Sequence, residues 1–272
     1  MKQINFDEIF KLLSYPFALK ALVVGTLVSV CSALLGSVLV LKKYSLIGHS
    51  LADIGFASAS LALALGVTSP MIVSMPIIVS CSFLIMYLSQ NKKIQGDVAI
   101  GIFSTSSLAV GVLVTSMSGG FNTDVYSYMF GSILVIDDFD AIISVLLSLF
   151  VLGVFFVFYN RLFLVTSDEI FAKSSGINVN FYHFLISFLT ALTIVVGMRM
   201  MGTLLISSLI IFPSVIAKKI AKSFKSLMLL SSAISCVCFV LGMMISFQFN
   251  IPTGASIVLT NLLIFVIFSV IR

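Results

Sequence analysis

The sequence contains few charged residues, and this shortage excludes several classes of protein. Only 9% of its 272 residues are Asp, Glu, Lys or Arg, whereas a typical soluble domain has about 25%. Hydrophobic residues make up 60% of the chain, which is more apolar surface than a water-soluble fold of this size can hide from water. We therefore exclude a soluble enzyme, a disordered protein and a nucleic-acid-binding domain, and we expect an integral membrane protein.

Several catalytic signatures are also missing. The chain has no phosphate-binding loop of the form G-x-x-x-x-G-K-[ST], so it cannot hydrolyse ATP by that route. It has neither an H-E-x-x-H nor a G-x-S-x-G motif, which are common signatures of hydrolases. The four cysteines lie within apolar runs, which suits small core residues. The first 20 residues include Asp7 and Glu8 and lack a small-residue cleavage site, so they do not resemble a signal peptide.

Most of the chain consists of long apolar runs that are separated by short polar segments. A helical span needs about 20 apolar residues, and the runs predict spans over 16–41, 51–68, 70–90, 98–118, 141–158, 182–199, 201–217, 226–246 and 254–271. A further run, 125–136, is too short to cross and suits a half-helix or re-entrant segment. The predicted fold class is all-α: a polytopic integral membrane protein with about nine transmembrane helices plus that half-helix, forming a single transmembrane domain over 1–272.

The charges that remain are distributed unevenly between the two predicted sides of the membrane. If nine spans are present, one side holds most of the 15 basic residues: Lys42, Lys43, Lys92, Lys93, Arg161, Lys173, Lys218, Lys219, Lys222, Lys225 and Arg272. The opposite side holds Asp124, Asp137, Asp138 and Asp140. Basic residues accumulate in cytoplasmic loops, so the C-terminus is predicted to be cytoplasmic. The net charge of +5 thus reflects topology and requires no nucleic-acid partner.

His49 and Asp53 form the most conspicuous polar pair near the membrane core. If a helix begins near Leu46, the two side chains lie at positions i and i+4 on one face. An imidazole nitrogen and a carboxylate oxygen are both good ligands for zinc or manganese, and an acidic residue inside a span usually faces a cavity or a partner. The pattern fits a metal-binding pair, and it also fits a His–Asp hydrogen bond that satisfies both groups in a packed interior, which the spacing alone favours.

The loop between the fifth and sixth predicted spans contains the signals of a short helix. Thr166 and Glu169 have the spacing of a capping box, and Gly176 is typical of a helix end. The helix leaves Phe171 available to pack against another protein. An ordinary interfacial loop helix explains the same residues.

Six segments in register carry a resemblance to a known family. They are Ile47-Gly48-His49, Asp97-Val98-Ala99-Ile100-Gly101-Ile102, Phe130-Gly131-Ser132-Ile133-Leu134, the loop from Asp168 to Gly176, Gly202-Thr203-Leu204-Leu205-Ile206 leading to Pro213, and Pro252-Thr253-Gly254-Ala255. With these segments the chain resembles, over nearly its whole length, the permeases of the ABC-type zinc/manganese/iron uptake family. These are the membrane subunits of metal importers with a type II architecture.

The resemblance implies a homodimeric permease in the bacterial cell membrane, bound to two cytoplasmic ATPase subunits and supplied by an extracytoplasmic metal-binding protein. ATP would bind the partner subunits, and no cofactor would be held permanently. The loop near 164–180 would be the coupling helix, with Asp168, Glu169, Phe171, Ala172 and Gly176 as its contact residues. His49 and Asp53 would contact the transported Zn²⁺ or Mn²⁺.

The family commonly places Asp four residues before His at this point, and this chain reverses the order. Both ligand types remain on one helical face. Zinc is the first expectation for the metal, because the tyrosine-containing entry to the second span and the stretch 207–213 look more like zinc members. Manganese follows, and then iron.

The implied mechanism is alternating access at the homodimer axis. The acidic segment with Asp137, Asp138 and Asp140 could concentrate cations at the entrance, and a solvated turn explains these residues as well. Two other hypotheses remain from the sequence. One is a secondary transporter of a small solute, in which His49 and Asp53 relay protons along an ion gradient. The other is a membrane scaffold that transports nothing.

Overall fold

The structure is a computed structural model that describes residues 16–67, 70–90, 96–118, 129, 131, 138–249 and 251–270. The regular structure of these residues is helical. The helices are α1 (Pro16–Leu41), α2 (Ser45–Ala64), α3 (Pro70–Gln90), α4 (Gly96–Met117), α5 (Asp138–Val157), α6 (Tyr159–Ser167), α7 (Glu169–Ser174), α8 (Val179–Met201), α9 (Thr203–Ile220), α10 (Phe224–Phe249) and α11 (Thr253–Val270). The predicted half-helix over 125–136 lies outside the described residues apart from 129 and 131.

Eight of these helices are long and apolar enough to cross a membrane, and the pair α5–α6 makes up to nine. That pair bends by 68° at its break. The prediction of an all-α, polytopic membrane protein is therefore confirmed. The segment between the fifth and sixth predicted spans contains two helices: α7, which corresponds to the short helix predicted there, and α6, which was not predicted. A search for apolar runs of about 20 residues does not detect a helix as short as α6.

The second span also differs from its predicted bounds of 51–68. Helix α2 begins at Ser45 and ends at Ala64, because a turn with Gly66 at φ 70° closes it. In this turn the Val67 amide donates to the carbonyl of Ala62. Such a left-handed residue just after a helix is a common stop, and glycine adopts it without strain. The earlier start places His49 and Asp53 within the first half of the helix.

Helices α1, α2, α8 and α9 form the buried centre of the bundle, while α3, α4, α10 and α11 expose more of their surface. Small residues allow the central helices to approach closely, as packing within lipid requires. A Cβ atom at Gly36 of α1 would lie 2.0 Å from the carbonyl oxygen of Ile210 in α9. No side chain larger than hydrogen fits there without movement of the backbone.

Described residues in or next to the segments that the charge pattern predicts to be cytoplasmic meet at one end of the bundle. Lys42, at the end of α1, bonds to Glu169 of α7, and Gln90, at the end of α3, contacts His183 of α8. Phe224, which begins α10, packs against the rings of Tyr159 and Phe163 in α6. The Lys219 ammonium group reaches Ser269 near the end of α11 at 3.0 Å. We call this the basic end of the bundle.

Candidate functional site

Helix α2 carries the predicted metal pair. His49 Nε2 lies 3.7 Å from Asp53 Oδ2, a separation longer than a hydrogen bond. The two side chains share a face, as the i, i+4 spacing predicts, but they do not satisfy each other. The His49 side chain is 54% exposed, whereas that of Asp53 is 10% exposed. One ligand type is therefore accessible and the other is held inside the protein.

Asp53 is held by a residue that sequence reasoning did not assign to it. The Ser104 hydroxyl of α4 donates a hydrogen bond to Asp53 Oδ2. Helices α2 and α4 approach closely at this level of the bundle, since a Cβ atom at Gly111 would lie 2.7 Å from the Phe56 ring. The cluster of hydroxyl residues from Ser104 to Ser107 was visible in the sequence, but only the packing of α4 on α2 identifies which hydroxyl reaches the carboxylate.

His49 and Asp53 can supply only part of the coordination shell of a divalent cation. Zinc–nitrogen and zinc–oxygen bonds are about 2.0–2.2 Å long, so two ligands of one ion can lie about 3–4 Å apart, and His49 and Asp53 fit that separation. Among the described residues, no group of three or more His, Cys, Asp or Glu side chains could hold a metal ion. A cation at this pair would therefore keep open coordination positions, which suits release better than storage.

Helix α7 is the short helix predicted in the loop, but its cap differs from the prediction. Asp168, not Thr166, caps the helix: Asp168 Oδ1 accepts hydrogen bonds from the backbone amides of Ile170 at 2.9 Å and Phe171 at 3.0 Å. The Thr166 hydroxyl instead donates to the Leu162 carbonyl inside α6. The capping-box prediction is wrong because α6 continues through Ser167, so the helix boundary falls two residues later.

The remaining residues predicted in α7 separate into an outer and an inner group. Phe171 is 55% exposed, and the neighbouring Ile170 is 83% exposed. Ala172 is fully buried, and Gly176 ends the helix with φ 78°. Helix α7 therefore exposes two large apolar side chains to solvent while Ala172 packs against the bundle. Such a helix is suited to contact with another protein.

The Glu169 carboxylate contacts the bundle, although its side chain is 42% exposed. Its carboxylate accepts a hydrogen bond from the Lys42 ammonium group, and its Oε1 atom lies 3.0 Å from His183 Nε2. Sequence reasoning missed both partners, because Lys42 was assigned only to topology and His183 lies in an apolar run. His183 is one of two histidines in the chain, and this rarity inside a span is the signal that could have drawn attention to it.

The pKa values of Lys42 and Glu169 are shifted by burial and by the contact between the two groups. Burial lowers the pKa of the Lys42 ammonium group below its ordinary value, and the hydrogen bond and charge of Glu169 partly oppose that effect. Burial raises the pKa of the Glu169 carboxyl, but the hydrogen bond and charge of Lys42 outweigh it, and the pKa lies below its ordinary value. The carboxyl is therefore ionised at neutral pH.

Comparison with known proteins assigns the chain to a family. The sequence profile of the ABC 3 transport family matches residues 14–272. This chain belongs to the ABC 3 transport family. The manganese import system permease protein ScaB of Streptococcus gordonii is 35% identical over 253 residues, which cover 93% of this chain and 90% of ScaB. The manganese transport system membrane protein MntC of Listeria innocua is 26% identical, over 94% of this chain and 91% of MntC.

A solved structure agrees with the assignment. The structure of PsaBC from Streptococcus pneumoniae in complex with Fab aligns with a TM-score of 0.86 and 32% identity, over 97% of this chain and 95% of that chain. As an ABC 3 family member, the chain is the permease subunit of a metal-importing ABC transporter in the bacterial plasma membrane. It is not itself an enzyme, and ATP hydrolysis belongs to a separate subunit. The alternative of an independent secondary transporter is thereby set aside.

Proposed function

We propose that this permease carries a divalent metal ion past His49 and Asp53, with Mn²⁺ as the preferred cargo. The observation that supports this most directly is the geometry of α2, where an exposed imidazole and a buried carboxylate lie 3.7 Å apart. A bare divalent cation cannot enter hydrocarbon because its desolvation is too unfavourable. His49, Asp53 and neighbouring oxygen atoms would replace part of its hydration shell.

Manganese replaces zinc as the first choice of metal. The sequence-based preference for zinc is not confirmed, and the relatives from Streptococcus gordonii and Listeria innocua are both named for manganese. A site that offers one carboxylate, one imidazole and hydroxyl groups suits manganese, which accepts oxygen ligands readily. Because imidazole also suits zinc, we expect zinc to compete with manganese.

We infer that two copies of the chain form the pathway by alternating access, each copy supplying one His49–Asp53 pair. A single copy holds too few ligands in its described part for a complete coordination shell, and a second pair would supply more. Two cytoplasmic ATPase subunits and an extracytoplasmic metal-binding protein would complete the transporter. The basic end of the bundle would face the cytoplasm, and the C-terminus with it.

We infer that Ile170 and Phe171 on α7 contact the ATPase, because these are the large apolar side chains that the helix exposes. Asp168, Ala172 and Gly176 serve the helix itself, by capping its start, packing it on the bundle and ending it. Closure of the ATPase subunits would then push on α7 and shift the spans.

The test compares uptake of radioactive Mn²⁺ and Zn²⁺ by cells that express the wild-type transporter, His49→Ala or Asp53→Ala at matched levels. We expect both variants to lose most uptake, and unlabelled Mn²⁺ to compete better than Zn²⁺ in the wild type. Asp97→Asn is the matched control, since this exposed carboxylate lies in the first turn of α4. Unchanged uptake in both α2 variants would refute the metal-transit role.

A further inference from the structure

A cluster of four polar side chains lies at the basic end of the bundle, apart from the candidate metal site. Lys42, Gln90, Glu169 and His183 come from four different elements. The Lys42 ammonium group contacts Glu169 and lies 2.6 Å from His183 Nε2. The Gln90 amide nitrogen lies 2.8 Å from the other ring nitrogen, Nδ1. An amide group can donate or accept, so Gln90 can pair with the ring in either tautomer.

The cluster is unlike an ordinary surface salt bridge. The side chains of Lys42 and His183 are each only 5% exposed, while that of Glu169, which approaches them from α7, is 42% exposed. Exposed ion pairs contribute little because water and salt screen them. When a buried pair loses one partner, the other charge is left without compensation inside the protein. Loss of the Glu169 carboxylate would leave the nearly buried Lys42 ammonium group without its counter-charge, so the pair favours one position of α7 relative to α1 and α8.

Lys42 is also attached to the helix that carries the metal pair. It follows the last residue of α1, and Lys43 next to it adopts a left-handed conformation with φ 62°. The Tyr44 amide then donates to the Leu39 carbonyl at 2.8 Å, which closes a tight turn. A non-glycine residue in this conformation persists where its surroundings hold it. Helix α2 begins at Ser45. Because the turn between Lys42 and Ser45 is tightly bonded, a displacement of Lys42 would also displace α2.

Gln90 extends the same connection to α3. It is the last residue of that helix, and α3 packs against both α2 and α8. In addition, the Ser187 hydroxyl of α8, one turn beyond His183, donates to the Ser82 carbonyl of α3 at 2.9 Å. The His183 ring thus lies between Glu169 of α7 and Gln90 at the end of α3. The Ser187–Ser82 hydrogen bond is a second link between α8 and α3.

We propose that Lys42, Glu169 and His183 form an internal joint that transmits movement of α7 to α2 and α3, and that they are positioning residues for the coupling of ATP hydrolysis to transport. On this proposal Glu169 points into the permease and does not contact the ATPase. The proposal rests on the proposed function in one respect, because it requires α7 to be the element that the ATPase moves. It does not depend on which metal is carried.

The test uses the permease co-expressed with its ATPase subunit, purified as a complex and reconstituted into liposomes. Mn²⁺ uptake and ATP hydrolysis are measured on the same samples for the wild type, Glu169→Gln and Lys42→Met. Co-purification of the ATPase reports assembly. Lys218→Met is the matched control, because this lysine is exposed near the end of α9. The charge exchange K42E/E169K restores the ion pair in the opposite orientation. Recovery in this double variant would show that the single variants fail because the pair is lost and not because the protein misfolds.

We expect both single variants to retain the ATPase but to transport less Mn²⁺ per ATP hydrolysed. The expected loss is at least about 5-fold, the lower end of typical coupling between distant sites. The charge exchange should recover part of the loss, and Lys218→Met should behave as wild type. If the single variants keep the ATPase and their ratio of Mn²⁺ transport to ATP hydrolysis is unchanged, the proposed joint is contradicted. The metal-transit role would be unaffected by that result. Loss of the ATPase from both single variants but not from the charge exchange would show that the pair holds α7 in its docking position without transmitting movement, and would also overturn the proposal.

A purely structural role predicts a different result. It would lower the amount of folded complex and leave the ratio of transport to hydrolysis in the surviving complex unchanged. That outcome would also overturn the proposal. If the wild-type complex hydrolyses ATP but moves no Mn²⁺, the proposed function itself fails, and this failure is visible before any variant is compared.

Discussion

At the scale of single residues, the Asp53 carboxylate carries most of the functional interpretation. It is nearly buried, its partner His49 is too distant for a hydrogen bond, and the Ser104 hydroxyl orients it from a neighbouring helix. A carboxylate held by one hydroxyl keeps lone pairs for another ligand. The site therefore has the character of a prepared but incomplete cation site.

The Ser104 hydroxyl provides a first prediction. Ser104→Ala should raise the Mn²⁺ concentration needed for half-maximal uptake by about 10-fold, because residues that orient a metal ligand typically contribute 10–100-fold to affinity. Ser80→Ala is the control, since the Ser80 hydroxyl bonds only to the Pro76 carbonyl of its own helix among the contacts described. The measurement is the concentration dependence of uptake. Equal half-saturation in both variants would show that Ser104 does not position Asp53 for metal binding.

The ion pair of Lys42 and Glu169 predicts a pH dependence with a definite sign. The folded-state pKa of Glu169 lies below its ordinary value of 4.5, so the pair contributes stability that is present above about pH 4.5 and lost as the pH falls through the lowered pKa. The difference in melting temperature between wild type and Glu169→Gln, measured by calorimetry, should be constant from about pH 5 to neutral pH and shrink below pH 4.5. A difference that grows as the pH falls would contradict the pairing.

At the scale of helices, the sequence predicted the elements whose ends are marked and missed those whose ends are not. Helix α1 was bounded correctly because Lys42 and Lys43 interrupt its apolar run, and α3 because Pro70 is its first residue. The span bounds of 51–68 missed the start of α2 because Tyr44, Ser45 and Leu46 mix polar and apolar character, whereas the His49–Asp53 spacing was interpreted on a helix beginning near Leu46, one residue from the observed start at Ser45. Helix α6 was missed because a span search rejects short polar helices. Its bend of 68° from α5 depends on packing that no local pattern encodes.

The close contact of α1 with α9 gives a prediction at this scale. Gly36→Ala would place a Cβ atom 2.0 Å from the Ile210 carbonyl oxygen, so the two helices must separate, and overpacking of this kind destabilises by about 1–3 kcal/mol. Gly153→Ala is the matched control, because its Cβ would meet open space. Thermal unfolding can be followed with a thiol-reactive dye that detects the buried Cys31 and Cys238. Equal melting of the two variants would contradict this packing.

At the scale of the whole molecule, composition and charge predicted the membrane fold, and the described residues in or next to the predicted cytoplasmic segments lie at one end of the bundle. The polar joint at that end could not be predicted, because its contacts link residues 93 to 141 positions apart. The pairing of His49 and Asp53 was predictable because both lie on one helix, four residues apart. The role of Ser104 was not, since it depends on how α4 packs against α2. The choice of metal also lay beyond the residues, so manganese is a proposal that rests on the names of relatives.

The most direct test of metal transit through the α2 pair is ATP-driven uptake of radioactive Mn²⁺ by the reconstituted complex of permease and ATPase, compared between wild type and Asp53→Asn. Asparagine keeps the size of the side chain and can still accept from Ser104, but it removes the charge that a divalent cation requires. We predict that Asp53→Asn binds the ATPase normally and reduces Mn²⁺ uptake by at least about 10-fold. Equal uptake by the variant and the wild type, at equal amounts of complex, would contradict the assignment.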